Sequence, residues 1–463
     1  MSDKLNAMSR KYRSNPGWYW LMGIIFLFPV LPEYISPFLL FAGFIVFKLQ
    51  WSREGKKAKV GSLGKLMIAF MAMAIVSTLW SPTKFSTLST AALWWGMFLV
   101  QVMIFNLART KQKIHRLLTL LVASGALNGL IGAIQICTYT MYRFGKIGKE
   151  WVLVTPFYRD FDEFVYSALP FEIITKAWSS RASGFFSNPN LLATYMIITY
   201  PVSIYLFLTA KDKKHKAVYF LFNVFISAGM SSTMTRAGCI IAIAGWLFMF
   251  IVLIKKHWKE MLTIFIPTIG IILPSLLTRY GYIFQTVAKV SGSGGGGAEA
   301  KKSSEVHFQI WEALIDHITT NADTFIYGTG FGVEHTGYIL AQDYALNKPH
   351  AHNFILETWM ELGIIGVILF GAVLFCTLGK LLEINANNGR KFALVFCIFT
   401  SLIMYFGFGL SDYIFNSPKQ IILLFIMLGL TQSISVCYEK NIIRDPQSLK
   451  KAAEMNLENA LHQ

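Results

Sequence analysis

The sequence predicts an all-α, polytopic integral membrane protein. Hydrophobic residues make up 54% of its 463 residues and charged residues only 14%, whereas a soluble globular protein carries roughly 45–50% and about 25%. So few charged side chains cannot cover a water-soluble fold of this size. The second observation is a series of about twelve apolar runs, most of them long enough to cross the roughly 30 Å hydrocarbon core of a bilayer as helices.

These apolar runs set the predicted order of elements. The expected spans are 18–31, 35–50, 64–80, 88–108, 115–140, 190–210, 217–231, 237–254, 259–278, 353–378, 391–410 and 419–437. Only a tight turn with Pro32 and Glu33 separates the first two, so they could form a helical hairpin, and the run at 217–231 is short. The chain thus divides into 18–140 with five spans, 190–278 with four and 353–437 with three.

Lysines and arginines predict the orientation of these spans. Basic clusters occur in the tails 1–17 and 438–463 and after every even-numbered span, and basic loops stay in the cytoplasm. The clusters begin at Lys4, Arg53, Arg109, Lys211, Lys255, Lys380 and Lys440. We therefore expect both termini in the cytoplasm. The formal net charge of +17 then reports orientation in the membrane rather than binding to nucleic acid.

Two long segments are predicted on the outer side, at 141–189 and 279–352. The first is rich in aromatic residues between Trp151 and Trp178, a composition typical of a segment that lies in the membrane interface or re-enters the membrane. The second opens with a Gly- and Ser-rich linker at 291–298. Beyond the linker, apolar and polar residues alternate at helical spacing, which predicts an amphipathic helix over 304–319. The apolar set is Phe308, Trp311, Leu314, Ile315 and Ile318, and the polar set is Glu305, Gln309, Glu312 and Asp316.

The five cysteines predict neither a disulfide framework nor a metal site. They are Cys137, Cys239, Cys376, Cys397 and Cys437, and no two have the C-x-x-C spacing. All lie in or at the ends of apolar runs, which is typical of packing residues.

Two arginines stand in polar turns on the predicted outer side. Arg181 lies in a Ser- and Gly-containing stretch that continues to Asn188 and Asn190, just before a span, and Arg236 follows a Ser/Thr-rich turn and opens another. Each could simply anchor a helix end by snorkelling. A pair of arginines beside helix N-termini could instead bind a phosphate or diphosphate bidentately.

A His-x-His sequence leads into the tenth predicted span. His350, His352 and Asn353 are followed by Glu357 and Glu361, and if the helix begins near His352, the last three share one face. Two carboxylates entering the membrane need partners, for which the outer arginines or the hydroxyls of a glycan are candidates. Both histidines could also be ordinary loop residues. A metal site is not predicted, because no third ligand stands nearby at a familiar spacing.

The spacing of these motifs resembles the O-antigen ligase and O-antigen polymerase superfamily of bacterial surface-polysaccharide enzymes. His352-Asn353, followed by Gly363-x-x-Gly366, is similar to its histidine motif. Arg181-x-x-Gly184 with the following Asn188-Pro-Asn190, and Thr235-Arg236-Ala-Gly238, are similar to its two arginine motifs. One departure is His307, which stands four residues before Trp311, where family members often have an arginine. His307 is mostly neutral near neutral pH and could replace that arginine only in part.

The resemblance implies glycosyl transfer at the outer face of the bacterial plasma (inner) membrane. The donor would be an undecaprenyl-diphosphate-linked oligosaccharide and the acceptor a hydroxyl of a glycan or lipid-linked glycan, with no metal, cofactor or nucleotide sugar. A base must take the acceptor proton, and cations must stabilise the departing diphosphate. The resulting assignment makes His352 the base, with His350 as fallback, places Arg181 and Arg236 on the diphosphate, and treats Asn353, Glu357, Glu361, Asn188, Asn190 and His307 as supporting residues.

Four functions stay open at this point. A polymerase would extend a lipid-linked repeat unit with the growing chain, whereas a ligase would transfer the glycan to a lipid core or a protein. The aromatic segment 141–189 could stack on a second lipid-linked glycan, which favours the polymerase. A twelve-helix transporter or flippase is less favoured, because no long cytoplasmic linker follows the sixth span and the two halves show no repeat. A structural subunit would not need the arginine turns and the histidine motif.

Overall fold

The computed structural model describes residues 15–33, 35–147, 181–288, 296–384 and 389–443, and every regular element in these ranges is helical. The all-α, polytopic fold class is confirmed. The helices are α1 (Pro16–Leu27), α2 (Ile35–Arg53), α3 (Gly61–Val76), α4 (Lys84–Leu107), α5 (Lys111–Ile147), α6 (Pro189–Thr209), α7 (Lys213–Thr233), α8 (Arg236–Ala288), α9 (Gly296–Thr320), α10 (Ala322–Tyr327), α11 (Val333–Gln342), α12 (Phe354–Leu382), α13 (Gly389–Gly409) and α14 (Pro418–Ile443).

Nine helices within the described ranges are long and apolar enough to cross a membrane, fewer than the twelve runs in the sequence. The helix α1 is apolar but has only 12 residues. The helix α7 has 21 residues but begins with a basic turn, and it is not among the nine. Two predicted spans, 237–254 and 259–278, are the two arms of α8, which is broken at His257, where φ is −136°. The arms fold back on each other, because the rings of Phe250 and Phe265 are stacked with centroids 4.6 Å apart. The break therefore lies where the sequence predicts the loop between the two spans.

Prolines and asparagines define where several helices begin. Pro16 and Pro189 stand at the first helical positions of α1 and α6, where the missing N–H costs nothing. The preceding Asn15 and Asn188 accept hydrogen bonds from backbone N–H groups of the first turn. The side chain of Asn188, expected to support the site, thus caps α6.

The centre of the bundle is built from α6 and α14. In each of them, 89% of the most apolar stretch is buried inside the protein, and α6 packs on α7 and α13 while α14 packs on α4. The helix α2 is peripheral, with only 22% of its apolar stretch buried. Its exposed Phe38, Phe41 and Leu49 are apolar, as a lipid-facing surface requires.

Several sequence-based boundaries change. The helix α5 continues to Ile147, seven residues into the predicted outer segment 141–189, and the aromatic residues between Trp151 and Trp178 lie outside the described residues. The helix α9 begins at Gly296, so the last three residues of the predicted linker 291–298 are helical, and the rest of the linker lies outside the described residues.

The buried face of α9 also differs from the predicted one. Ile310, Leu314 and Ile318 are buried against α11 and α12, whereas Phe308 and Ile315 are 65% and 49% exposed. The face is therefore rotated towards Ile310, which the sequence analysis did not include. This packing places α9 beside the turn that carries the His-x-His sequence, because the indole N–H of Trp311 donates to the carbonyl of Ala351 at 2.9 Å.

Candidate active site

The turn before α12 holds His352 in an unusual backbone conformation. Its φ of +51° lies in the left-handed region, which non-glycine residues adopt rarely and mostly at turns or functional sites. The next residue, Asn353, caps α12 by accepting hydrogen bonds from the N–H groups of Ile355 and Leu356 at 2.9 and 3.2 Å. Its amide also donates to the carbonyl of Leu410 at 3.1 Å. Asn353 therefore fixes the turn against the segment that follows α13.

That segment supplies the partner of His352. Asp412 is buried, and its Oδ1 lies 3.0 Å from Nδ1 of His352. Burial alone raises the pKa of the Asp412 carboxyl, but the hydrogen bond and charge of His352, with the amide of Asn190, outweigh it and lower the pKa below its usual value. Asp412 is therefore ionised near neutral pH and can accept the Nδ1 proton of His352.

A chain of hydrogen bonds continues from Asp412 to Arg181. The amide of Asn190 donates to Oδ2 of Asp412 at 2.7 Å, and Oδ1 of Asn190 accepts from Nη2 of Arg181 at 2.7 Å. Arg181 also donates to the hydroxyl of Thr235 at 3.0 Å and to the carbonyl of Thr233 at 2.9 Å. The structure thus joins the histidine motif, the first arginine motif and the residues just before Arg236.

Arg236 is half-buried and begins α8. Its charge reaches the histidines, since it is among the causes that lower the pKa of His307, after burial and the charge of His352. A positive side chain at a helix N-terminus adds to the positive end of the helix dipole. The two arginine motifs therefore meet at one positively charged place beside the histidines.

Three imidazole rings lie together at this place. His307 from α9 is stacked on His352, with ring centroids 4.6 Å apart and planes inclined by 10°, and His350 lies 4.2 Å from His352, edge to face. His350 is 8% exposed, whereas the His352 side chain is 22% exposed. Burial and then the charge of His352 lower the pKa of His350 to about 4, so His350 is a weak base that is neutral at pH 7.

The two carboxylates of α12 are not paired with arginines, which corrects that expectation. Glu357 is buried and accepts the backbone N–H of Ala351 at 2.5 Å. Glu361 is also buried and accepts from the hydroxyl of Tyr413 at 3.3 Å. Glu357 therefore holds the turn that carries His352, and Glu361 holds the segment that carries Asp412.

Residues 221–371 match the family model described as O-antigen ligase. The resemblance to the O-antigen ligase and polymerase superfamily is confirmed. The matched O-antigen ligase region is about one third of the chain and contains Arg236, His307, His352, Glu357 and Glu361. No curated protein matches the chain. The family supports a multi-pass membrane enzyme that performs glycosyl transfer of the O-antigen ligase or polymerase type.

Arg181 and Asp412 lie outside the matched O-antigen ligase region, and the fold brings them to it. Asp412 was missed by the sequence analysis, although a signal existed. It is the single acidic residue between 389 and 438, and an isolated carboxylate beside membrane spans is a functional candidate. A second polar residue that was not predicted is the buried Lys419, which donates to the carbonyls of Pro29 and Phe185 at 3.2 and 2.5 Å.

The fold brings a third potential metal ligand to the two histidines. Side-chain atoms of His350, His352 and Asp412 lie within 4.8 Å of one another, whereas the sequence has no third ligand near the histidines at a familiar spacing. Nδ1 of His352 is already engaged with Asp412, which is the arrangement that orients a general base. Metal independence stays a prediction.

Proposed function

We propose that this chain transfers a glycan from an undecaprenyl-diphosphate-linked donor to an acceptor hydroxyl, with His352 as the general base. The observation that carries the proposal is the hydrogen-bonded series His352, Asp412, Asn190, Arg181. It connects a group that can take a proton with a group that can stabilise a departing phosphate. Both are needed when a poor nucleophile displaces a diphosphate.

The hydrogen bond to Asp412 decides which nitrogen of His352 reacts. Because the ionised carboxylate accepts the Nδ1 proton, Nε2 carries the lone pair. The acceptor hydroxyl gives its proton to Nε2 while its oxygen attacks the anomeric carbon. The bond between that carbon and the diphosphate oxygen breaks, and the electron pair leaves with the lipid diphosphate. Direct displacement of this kind inverts the anomeric centre.

The neighbours of His352 keep its ring in place for this step. Asp412 stabilises the imidazolium that forms after proton transfer, and the stacked His307 restricts rotation of the ring. His350, the fallback base in the sequence analysis, is less suited, because its pKa of about 4 makes it a weak base.

Arg181 and Arg236 would serve the departing diphosphate. The guanidinium of Arg181 is fixed by Asn190, Thr235 and the carbonyl of Thr233, so its charge needs no reorganisation during the reaction. Arg236 adds a second positive charge in the first turn of α8, where the free backbone N–H groups and the helix dipole also favour an anion. In our proposal the site faces the outer side of the bacterial plasma membrane, with both termini in the cytoplasm.

We propose repeat-unit polymerisation as the overall reaction, with ligation as the alternative that the description of the matched family favours. Purified lipid-linked repeat units, supplied alone to the purified protein, separate the two. A ladder of products supports the polymerase. A product that forms only after addition of a lipid-core or protein acceptor supports the ligase.

The catalytic assignment is tested with single substitutions that leave expression intact. His352→Ala and Arg236→Ala should each abolish glycan assembly, whereas His350→Gln should retain most of it. Normal product from both alanine variants would contradict the proposal and favour a transporter. Loss of activity in His350→Gln, at normal activity of His352→Ala, would move the base to His350.

A further inference from the structure

A large basic cavity lies at the end of the bundle opposite the histidines. Its volume is about 1280 Å³, and it is lined by residues from the start of α5, the connection between α6 and α7, the start of α13 and the end of α14. Asp412 and Lys419 lie beside the other ends of α13 and α14, and a helix of this length spans roughly 30 Å. The cavity is therefore separate from the candidate active site.

Positive charge dominates the lining of this cavity. Five Lys and Arg side chains line it, with two histidines and a single carboxylate. The cations are Lys111, Arg116, Lys211, Arg390 and Lys391. The carboxylate of Asp212 is engaged locally, because it caps α7 and contacts the ring of His215 at 2.6 Å. Among the residues that line the cavity, cationic side chains therefore clearly outnumber the single carboxylate.

The cations converge rather than spread over the helix ends. The ammonium groups of Lys111 and Lys391, from α5 and α13, lie 5.2 and 5.1 Å from the centre of the same ring, that of Tyr438. Basic residues that only determine membrane orientation need to be on one side of the membrane, but not around one cavity. Charges from two helices therefore act on the same space at one end of the bundle, where they attract an anion.

We infer that this cavity binds a phosphate-bearing anion, either the headgroup of an anionic phospholipid or a soluble polyphosphate. Basic cavities between the ends of membrane helices are suited to phosphorylated headgroups. The rings of Tyr205, Tyr219 and Tyr438 line the cavity beside the cations, which gives apolar and hydroxyl contacts to an organic part. The volume exceeds the roughly 300–1,000 Å³ of ordinary small-molecule sites, so a whole headgroup fits.

The test measures binding to the full-length protein in dodecyl maltoside. Dioleoyl phosphatidylglycerol is compared with dioleoyl phosphatidylcholine in mixed micelles, and inorganic triphosphate is added in a separate arm, with the shift in melting temperature as the readout. A shift with phosphatidylglycerol alone identifies a lipid headgroup, and a shift with triphosphate identifies a soluble ligand. No shift with either anion overturns the proposal.

Matched charge-reversal variants test whether the anion binds in the cavity. Lys111→Glu combined with Lys391→Glu should weaken anion binding by about tenfold or more. The control, Lys255→Glu with Lys256→Glu, reverses the same number of charges near the break in α8, where neither residue lines the cavity. This control variant should bind the anion as the wild type does. If the first pair does not fold, Arg116→Gln with Lys211→Gln replaces it. Equal weakening in the control, or undiminished binding in the cavity variants, overturns the proposal.

The binding test is independent of the catalytic assignment. His352→Ala should bind the anion with wild-type affinity, because the histidines and the cavity lie at opposite ends of the helices. A failure of the cavity proposal would therefore leave the proposed glycosyl transfer intact, and the reverse also holds.

Discussion

His352 and Asp412, sixty residues apart in the chain, are joined by a 3.0 Å contact between Nδ1 and Oδ1. The two residues follow different helices, and two further contacts hold the two segments together. Asn353 donates to the carbonyl of Leu410, and Glu361 of α12 accepts from the hydroxyl of Tyr413. Within the turn that carries His352, Glu357 accepts from the N–H of Ala351. The pair is therefore a feature of the folded bundle and not of a local sequence motif.

Asp412→Asn tests whether this contact orients the base. An asparagine amide has the size of the carboxylate but cannot stabilise the imidazolium, and its NH₂ group can donate to Nδ1 and so favour the wrong tautomer. We expect the rate of glycan transfer to fall by about 100-fold or more, with little change in melting temperature. The control is Asp343→Asn, which removes an exposed carboxylate 3.9 Å from His317 and should be neutral. Wild-type turnover in Asp412→Asn would exclude a role for Asp412 in the reaction.

His350→Gln tests the burial of the second histidine through the pH dependence of stability. In the folded protein the pKa of His350 is lowered to about 4, whereas in an unfolded chain it is about 6.5. Between these values the unfolded state binds more protons, so stability is lost as the pH falls from about 6.5 to 4, by at most about 3 kcal/mol. The melting temperature of the glutamine variant should fall less between pH 7 and pH 5. Identical pH profiles for both proteins would show that His350 is solvated like an ordinary histidine.

Arg181→Lys separates charge from geometry in the first arginine motif. Lysine keeps the positive charge but cannot reproduce three hydrogen bonds from one planar group to Asn190, Thr235 and the carbonyl of Thr233. We expect kcat/KM for the lipid-linked donor to fall by roughly 10- to 100-fold, which corresponds to about 1.4 to 2.8 kcal/mol. The exposed Arg53→Lys serves as the control. Full activity of Arg181→Lys would mean that only the charge matters.

Lys419→Met tests a buried ammonium that connects two distant segments. The ammonium group of Lys419 donates to the carbonyl of Pro29, which follows α1, and to that of Phe185, which lies four residues after Arg181. Methionine fills similar space but leaves both carbonyls without this donor, which costs about 2–4 kcal/mol. The melting temperature should drop, whereas Lys84→Met at the exposed start of α4 should not change it. An unchanged melting temperature in Lys419→Met would show that other groups hold the loop.

The membrane spans were predictable, because each of them is a continuous run of apolar residues in the sequence. Apolar runs are local signals, and most of them begin within a few residues of a helix start. The break in α8 was predictable as well, because Lys255, Lys256 and Lys259 indicate a loop between two spans, and His257 between them departs from helical geometry. The buried face of α9 was misjudged, since periodicity alone does not tell which side of a helix packs on a neighbour.

The candidate site was predictable only as far as its motifs are continuous in sequence. His352, Arg181 and Arg236 stand out because they are charged or titratable groups in polar turns beside apolar spans. Their connection depends on Asn190 and Asp412, and the pairing of residues sixty positions apart follows from how α12 and α13 pack. Polar groups within reach of one another in three dimensions leave no fixed spacing in the chain, so Asp412 and Lys419 could be noticed only as isolated charges.

Gly363→Ala tests the break in α12 on which the site is built. Gly363 has φ +66° inside the helix, and a Cβ at this position would overlap the backbone of Ile326 in α10. The break leaves the carbonyls of Met360 and Glu361 to accept from the N–H groups of Thr329 and Gly330, at 2.7 and 3.0 Å.

Alanine in the left-handed region costs about 1–2 kcal/mol, and the overlap with α10 adds to this cost. We expect a clear fall in melting temperature together with loss of transfer activity, because Glu361 and the turn with His352 are displaced. Gly371→Ala, on the same helix with no atom within 4 Å of its added Cβ, is the matched control and should be neutral or slightly stabilising. Equal melting temperatures for the two variants would show that α12 can straighten at Gly363 without disturbing the site.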